Sequence, residues 1–146
     1  MIIMDIDPGA SDGIAVLGSA THSAKSIKGM TLMEQWIEID TWHGDWTRAY
    51  LESVHSMPRD GVRSAFSFGK SYGNLEAFLV AAEIPFERVT PSVWQKEFGL
   101  IKRKGETHTE KKNRHKALAQ EMFPSVKVTH AVADALLIAE YGRRQK

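Results

Sequence analysis

The apolar and polar positions of the chain follow two periods, one typical of strands and one typical of helices. Residues 1–7 form an apolar run that carries acids and stops at Pro8-Gly9, which predicts a buried strand ending in a turn. Aromatic and leucine side chains recur at intervals of four, three and four residues from Phe68 to Leu79, which predicts an amphipathic helix. The chain is predicted to begin with strands, to alternate between helices and strands, and to end in a helix.

Turn and capping signals set the bounds of the predicted elements. Thr107 and Glu110 form a capping box at the start of a basic helix, and Pro91 suits the first position of another helix. The predicted strands are 1–7, 14–17 (a hairpin partner of the first), 48–54 and 84–89, with a short extended piece at 126–128. The predicted helices are about 65–82 capped by Ser64, one from Pro91, one from Thr107 to Pro124, and about 130–143 capped by Thr129. Residues 8–13 and 18–26 are predicted loops, and 27–42 fits either a helix or a strand.

Acidic side chains stand at the ends of these predicted elements. Asp7 closes the first strand, Glu52 lies near the end of a later strand, and Asp134 is predicted in the first turn of the last helix. His130 precedes Asp134 by four residues, so both are expected on one face of that helix. Burying a carboxylate that has no partner costs on the order of several kcal/mol. The simplest partner for these acids is a divalent metal ion that they bind together in one shared site.

The donor atoms of this set suggest which metal it would take. Carboxylate oxygens with gaps for water suit magnesium or manganese. Two such ions about 4 Å apart hold the attacking and leaving oxygens of a phosphodiester during displacement. Each residue also has a plainer interpretation: Asp7 as a turn residue, Glu52 as a surface strand residue, Asp134 as an acid favoured by the helix dipole, and His130 as a packing histidine.

Composition narrows the class of protein. The 146 residues suit one domain, 1–146, and 42% hydrophobic with 25% charged residues is ordinary for a globular protein. The absence of cysteine excludes disulfides and cysteine-ligated zinc. No apolar run approaches the roughly 20 residues that cross a bilayer, and no signal peptide is seen, so a soluble cytoplasmic protein without a membrane partner is expected.

The net charge of +1 says little, but basic residues cluster in segment 102–116. Lysines and arginines there are opposed only by Glu106 and Glu110, and the chain ends Arg143-Arg144-Gln145-Lys146. Such clusters suit a phosphate backbone, and the plainer alternative is a solvated helix face.

Six segments, in order along the chain, resemble one known family. The segments are Ile6–Gly9, Leu51–Val54, Gly61–Gly73, Ile84–Trp94, Leu118–Pro124 and Ala133–Ala139. They resemble RuvC-type Holliday junction resolvases, and their compact phage-type branch most. The resemblance covers nearly the whole chain and is weakest in 18–47.

The resemblance implies a fold and an activity. It implies an α/β, RNase H-like (ribonuclease H/RuvC) fold with a mixed central sheet flanked by helices. It also implies a homodimeric crossover junction endodeoxyribonuclease of DNA recombination and repair. The enzyme would use two Mg²⁺ ions per site, with Mn²⁺ as a substitute, to nick opposed strands of a four-way junction. A bacterial cytoplasm is the expected location, with a bacteriophage gene as one source.

The resemblance also assigns roles to the acids. Asp7 matches the acid that bridges both metals, Glu52 the acid that holds a metal and orients the attacking water, and Asp134 the helix acid that completes the site. The family's further acid, one turn before Asp134, is missing; His130 is then either a fourth ligand or a residue that orients the water, with a shift toward Mn²⁺. Asp5 also departs from the family, and on the same strand face as Asp7 it is an extra ligand, an acid behind the ligands, or an unusual substitution.

Basic side chains are the candidate DNA contacts. The candidates are Arg59, Arg63, Lys70, Lys104, Lys111, Lys112 and Arg114. Arg59 lies in the loop after Glu52, and a surface or capping role is the alternative there and at Arg63. Phe68 and Tyr72 are predicted to lie in the core. Phosphate contacts of this kind would make affinity fall steeply with salt.

Three other functions stay open from the sequence. One is a broader structure-selective nuclease that cuts flaps, forks and replication intermediates. Another is a junction-binding protein that does not cut because the missing acid cripples the metal site. An actin-like ATPase also opens with a strand acid and a glycine turn, but the chain is too short for its two lobes.

Overall fold

A five-stranded mixed sheet lies between two layers of helices. The computed structural model describes residues 1–8, 12–44, 46–55 and 57–145. The strands are β1 Ile2–Asp7, β2 Gly13–Leu17, β3 His22–Ser26, β4 Thr47–Glu52 and β5 Phe86–Val89. The helices are α1 Leu32–Asp40, α2 Val62–Ala81, α3 Pro91–Glu97, α4 His108–Met122 and α5 His130–Arg144. The predicted mixed sheet flanked by helices is confirmed.

The strand order is β3-β2-β1-β4-β5. β1, β2 and β3 form an antiparallel meander, and β4 and β5 continue the sheet parallel to β1. Asp5 lies opposite Tyr50, and Ile6 lies opposite Leu51. Because carboxyl ends of parallel strands meet at one sheet edge, β1 and β4 both deliver their terminal acids there.

Alternation along β1 and β4 divides the core into two clusters. Ile3 and Tyr50 belong to the cluster under α3, α4 and α5, whereas Met4 and Leu51 belong to the cluster under α1 and α2. Helix α5 is the most deeply packed helix, and nine of its residues are buried. Asp5 and Asp7 share the face of Ile3, so they point toward α5.

Two glycines allow α5 to lie directly on the sheet. A Cβ atom at Gly13 would overlap the backbone oxygen of Ala131, and one at Gly142 would overlap the ring of Tyr50. The first contact lies one turn from Asp134, and the second lies near the other end of the helix. These close approaches fix how far Asp134 lies from the acids of β1.

Several predicted bounds need correction. The predicted loop 18–26 contains β3, an edge strand of small polar residues that pairs on one side only and therefore lacks an apolar alternation. Ser64 does not cap α2, which begins at Val62 with Gly61 as its N-cap residue. Segment 126–128 forms no strand. Asp134 is the fifth residue of α5, which places it in the second turn and not in the first.

Other predictions are confirmed with small shifts. Strand 48–54 is observed as β4, strand 84–89 as β5, and the ambiguous 27–42 contains α1. Helix α1 opens with a capping box between Thr31 and Glu34, and α4 opens with the predicted one. Phe68 and Tyr72 are half-buried, so they lie at the margin of the core. The predicted turn 8–13 falls partly on residues 9–11, outside the described residues. None of the described helices is long and apolar enough to cross a bilayer.

Candidate active site

Four carboxylates gather at the edge of the sheet where β1 and β4 end. Asp5, Asp7 and Glu52 are 0%, 4% and 8% exposed. Asp134 reaches the same region from α5, with a side chain that is 20% exposed. The structure therefore brings together the three acids that the sequence analysis placed at strand and helix ends, together with Asp5.

Burial and the neighbouring acids raise the pKa of Asp5 and of Glu52. Burial first, and then the charges of Asp7, Glu52 and Asp134, raise the pKa of Asp5 well above its usual value. Burial and the charge of Asp7 raise the pKa of Glu52 to about 7, against a smaller lowering by the Trp94 hydrogen bond. Like charges disfavour ionisation of their neighbours only at close range, so the four carboxylates behave as one coupled site.

This donor set fits a hard divalent cation. Both carboxylate oxygens of Asp5 are buried and make no hydrogen bond of good geometry with the described residues, although the backbone N–H of Ile6 slightly opposes the burial that raises the pKa of Asp5. A cation would compensate this negative charge, and carboxylate oxygens are the ligands that Mg²⁺ and Mn²⁺ prefer. Within the described part of the chain, no three Asp, Glu or His side chains converge into a ready-made metal site. Carboxylates that repel one another draw together once a cation lies between them. The electrostatically coupled acids therefore still suit a metal ion.

Two aromatic residues that the sequence analysis did not select contact these acids. Trp94 of α3 donates its indole N–H to Glu52 Oε1 at 2.8 Å. His115 of α4 lies 2.6 Å from Asp134, between Nδ1 and Oδ1. Both side chains are buried. The only local signal for His115 is its spacing of four residues from Ala119, the other buried residue of an otherwise polar helix.

His130 makes a hydrogen bond with α4. Its ring is exposed, and its Nε2 lies 2.8 Å from Asn113 Oδ1. The i, i+4 spacing put His130 and Asp134 on one helix face but could not tell which side chain turns toward the sheet. The histidine that contacts Asp134 comes from α4 and is His115. A metal-binding or water-orienting role for His130 stays a prediction that no contact supports.

A pocket of about 200 Å³ opens beside Glu52 and Asp134. Lys111, Lys112 and His115 line it from α4, and Lys111 donates to Gln95 Oε1 at 2.8 Å. Two cations beside two carboxylates suit a phosphate that approaches the acids from this side.

The other basic candidates lie in two different settings. Arg114 is largely enclosed: its guanidinium donates to both oxygens of Glu106 at 2.6 and 3.0 Å and to the carbonyls of Gly99 and Ile101. Lys104 is exposed on the loop before α4. Arg59, Arg63 and Lys70 are also exposed, and Arg63 lines a groove of about 510 Å³ between Pro8 and α2.

The fold matches solved structures, two of which are structures of Thermus thermophilus RuvC. The Thermus thermophilus RuvC structure aligns with 99% of this chain and 97% of its own, with a TM-score of 0.56 and 18% sequence identity. The T. thermophilus RuvC structure in complex with a Holliday junction substrate aligns with 95% of this chain and 90% of its own, with a TM-score of 0.56 and 14% identity. No protein-family model and no curated protein sequence matches the chain. The likeness shows that this chain has the RuvC-type, RNase H-like α/β fold, as the sequence predicted.

Proposed function

We propose that this protein is a Holliday junction resolvase, a DNA endonuclease that nicks opposed strands of a four-way junction. The observation that carries the proposal is the coupled set of buried acids at the ends of β1 and β4. This set lies on a fold that matches RuvC, and one matching structure is a complex with a Holliday junction substrate. Cytoplasmic action in recombination and repair in a bacterial cell follows from the same proposal.

Asp7, Glu52 and Asp134 would hold the metal, with Asp5 as a further acid of the same site. Two Mg²⁺ ions, or Mn²⁺ in their place, would stabilise the attacking and leaving oxygens at phosphorus. Glu52 Oε1 accepts the Trp94 hydrogen bond, so Oε2 is left to orient the attacking water. The water oxygen bonds to phosphorus as the bond from phosphorus to the 3′-oxygen breaks, which leaves a 5′-phosphate and a 3′-hydroxyl. Lys111 and Lys112 line the adjoining pocket, where they would hold a phosphate of the cut strand.

The exposed basic residues would hold the arms of the junction. Lys104, Arg59, Arg63 and Lys70 present their charges to solvent on the described surface. Each phosphate contact releases counterions, so these residues would make binding depend on salt without reading sequence. Arg114 is left out of this set because its donors are used within the protein.

A homodimer would supply the second active site, and α2 carries a suitable face. Val62, Phe66 and Val80 are 88%, 75% and 67% exposed along one side of the helix. Gly69 and Gly73 fall on the same side, and no atom lies within 4 Å of where their Cβ atoms would stand. Small residues between apolar ones allow a second helix to approach closely, so a copy of α2 is the proposed occupant.

A nicking assay tests the proposal. The substrates are a synthetic four-way junction, a flap and a linear duplex, each with Mg²⁺ and separately with Mn²⁺. We expect cuts on two opposed strands of the junction and loss of cutting in Asp7→Asn. Asp40→Asn, on α1 at the other face of the sheet, is the matched control and should cut normally. Faster cutting of the flap would favour the broader structure-selective nuclease.

One observation favours a second candidate, a junction-binding protein that does not cut. The described residues contain no ready-made group of three metal ligands. Tight junction binding without nicks in either metal would establish this candidate and overturn the resolvase.

A further inference from the structure

Two buried ring nitrogens each contact one oxygen of an acid. Trp94 is fully buried and donates to Glu52 Oε1 at 2.8 Å. His115 is 3% exposed, and its Nδ1 lies 2.6 Å from Asp134 Oδ1. The two rings meet edge to face, with centroids 5.4 Å apart and planes at 74°. A packed path therefore runs from the strand acid to the helix acid through α3 and α4.

The protonation of His115 follows from this contact. An ionised carboxylate only accepts hydrogen bonds, so Nδ1 carries the proton and donates it to Asp134. The other ring nitrogen, Nε2, is buried and has no hydrogen-bond partner among the described residues. A buried nitrogen without a partner weakens the fold, so core stability alone gives no reason for a histidine at this place. Among the described residues, its hydrogen-bond partner is the carboxylate of Asp134.

The spacing of Glu52 and Asp134 needs such restraint. The acids come from different elements, and their charges repel each other. Each donor takes one oxygen, so the other oxygen of each acid remains for a ligand. Packing of the two rings joins the two restraints, because neither acid can shift far without moving its ring against the other ring.

We propose that Trp94 and His115 are positioning residues that hold Glu52 and Asp134 at the spacing that a divalent cation requires. They act through the two acids and are not themselves ligands of the cation. This inference rests on the proposed function for the reaction, but the metal binding that it concerns can be measured without DNA.

Three variants and one control test this role by calorimetric titration with Mn²⁺. Trp94→Phe keeps a ring and loses the donor. His115→Leu loses the donor, whereas His115→Asn keeps an N–H group at the same number of bonds from the backbone as Nδ1. Trp36→Phe, on the opposite face of the sheet, is the matched control. Because loss of a hydrogen bond to a metal ligand typically weakens metal binding 10- to 100-fold, we expect Trp94→Phe and His115→Leu to weaken Mn²⁺ binding about tenfold or more.

His115→Asn should keep most of the affinity, and Trp36→Phe should keep all of it. The nitrogen shifts of His115 in solution provide a second readout, in which the proton should be on Nδ1. Circular dichroism establishes that each variant is folded, and the NMR measurement needs no variant at all. Mn²⁺ affinity that is equal in all variants, or a proton on Nε2, would overturn the positioning role.

The nicking assay separates this inference from the proposed function. At saturating Mn²⁺ the rate of Trp94→Phe should approach that of the wild type, with a higher Mn²⁺ concentration needed for half the maximal rate. A wild-type protein that binds Mn²⁺ but cuts no DNA would end the nuclease proposal and leave the positioning role standing. Equal Mn²⁺ affinities with junction cutting intact would do the reverse.

Discussion

At the scale of single residues, a buried carboxylate, Asp5, lowers the stability of the metal-free fold. Asp5 is fully buried, and neither of its carboxylate oxygens accepts a hydrogen bond of good geometry from the described residues. An ionised carboxylate buried without a partner lowers the free energy of unfolding by an amount on the order of several kcal/mol. The raised pKa of Asp5, caused first by burial and then by Asp7, means that the metal-free fold favours the protonated acid. A residue that weakens the fold in this way is best explained by the site it belongs to.

Asp5→Asn is expected to stabilise the metal-free protein. Since the unfolded chain releases the Asp5 proton at a lower pH than the folded chain does, Asp5 weakens the fold increasingly as the pH rises above its ordinary pKa. At pH 8 with a chelator, replacing it should raise the free energy of unfolding by about 1–2 kcal/mol and the melting temperature by a few degrees. At pH 4 the replacement should change the melting temperature little. Calorimetry also measures the stabilisation by Mn²⁺, which should shrink in Asp5→Asn and persist in Asp40→Asn. A lower melting temperature at pH 8 would contradict this account of Asp5.

Glu52 is expected to give the metal-free protein a falling stability as the pH rises. Its pKa of about 7 in the folded state exceeds the ordinary 4.5, because of burial first and then the charge of Asp7. Between those values the unfolded chain has lost the proton and the folded chain keeps it, so raising the pH favours unfolding. Over the whole interval the loss is on the order of 3 kcal/mol, and it levels off above pH 7.

Urea unfolding of the metal-free protein between pH 4.5 and 8 measures this dependence. Glu52→Gln should flatten it, whereas Glu121→Gln, an exposed acid of α4, should leave it unchanged. If wild type and Glu52→Gln respond equally to pH, Glu52 does not carry the raised pKa.

At the scale of elements, the packing of α5 decides whether the acids form one site. Gly13 and Gly142 let the helix lie against β2 and Tyr50 without side chains between them. Seven residues of α5 from Val132 to Ile138 include only Asp134 as a charged side chain, and it faces His115 of the neighbouring α4. The helix therefore carries its one acid of this stretch at the edge of the sheet, where β1 and β4 end.

Two different kinds of cation lie at the loop before α4, Arg114 on the helix itself and Lys104 on the loop. Arg114 is expected to stabilise this loop, because it binds Glu106 through two hydrogen bonds and holds two backbone carbonyls. The Arg114 hydrogen bond is the main cause that lowers the pKa of Glu106 to about 2. Arg114→Gln should therefore lower the melting temperature and leave the dependence of DNA binding on salt nearly unchanged.

Lys104→Gln, on the loop that Arg114 holds, is the matched comparison. Lys104 is exposed, so its loss should leave the melting temperature unchanged and reduce the slope of log affinity against log salt by about 1. Fluorescence anisotropy with a labelled junction at several salt concentrations measures both slopes. If Arg114→Gln reduced the slope as much as Lys104→Gln does, Arg114 would contact phosphate after all.

Much of this layout was predictable from local sequence, and the part that was not depends on tertiary packing. β1, β4 and their terminal acids follow from apolar runs with acids at the ends, and α4 follows from its capping box. β3 has no apolar alternation because it is an edge strand, so no local pattern marks it. His115 and Trp94 reach the acids only because α3 and α4 pack beside α5, and no spacing within either helix encodes that. The histidine that the local spacing selected, His130, contacts Asn113, and its role at the site stays a prediction.

At the scale of the whole molecule, the proposed reaction would require more than one copy of the chain. The coupled acids on one chain would form one active site, and a four-way junction must be cut on two opposed strands to yield two duplexes. The proposed homodimer would meet this requirement by symmetry, because a two-fold axis presents the same site to both strands. The exposed apolar face of α2 lies on the far side of the sheet from the helices that hold Asp134 and His115, so pairing through it would leave the acids open to DNA.

Phe66→Asp is expected to break the dimer and uncouple the two nicks. Phe66 is 75% exposed, and a charge there would have to be buried against the partner copy at a cost that a small interface cannot meet. Sedimentation should then show a monomer for the variant and the proposed dimer for the wild type. On a supercoiled plasmid with an extruded cruciform, paired nicks within one encounter give a linear product, and independent nicks give a nicked circle. The variant should shift the product from linear to nicked circle while its Mn²⁺ affinity stays at the wild-type value, because α2 contributes no acid to the site.

Leu32→Asp places the same charge on the exposed face of α1, where 52% of the side chain is accessible, and should change neither the mass nor the product. A Phe66→Asp protein that remains dimeric and still linearises the plasmid would mean that the copies meet through another surface. A shift caused by Leu32→Asp in its place would identify that surface as the face of α1.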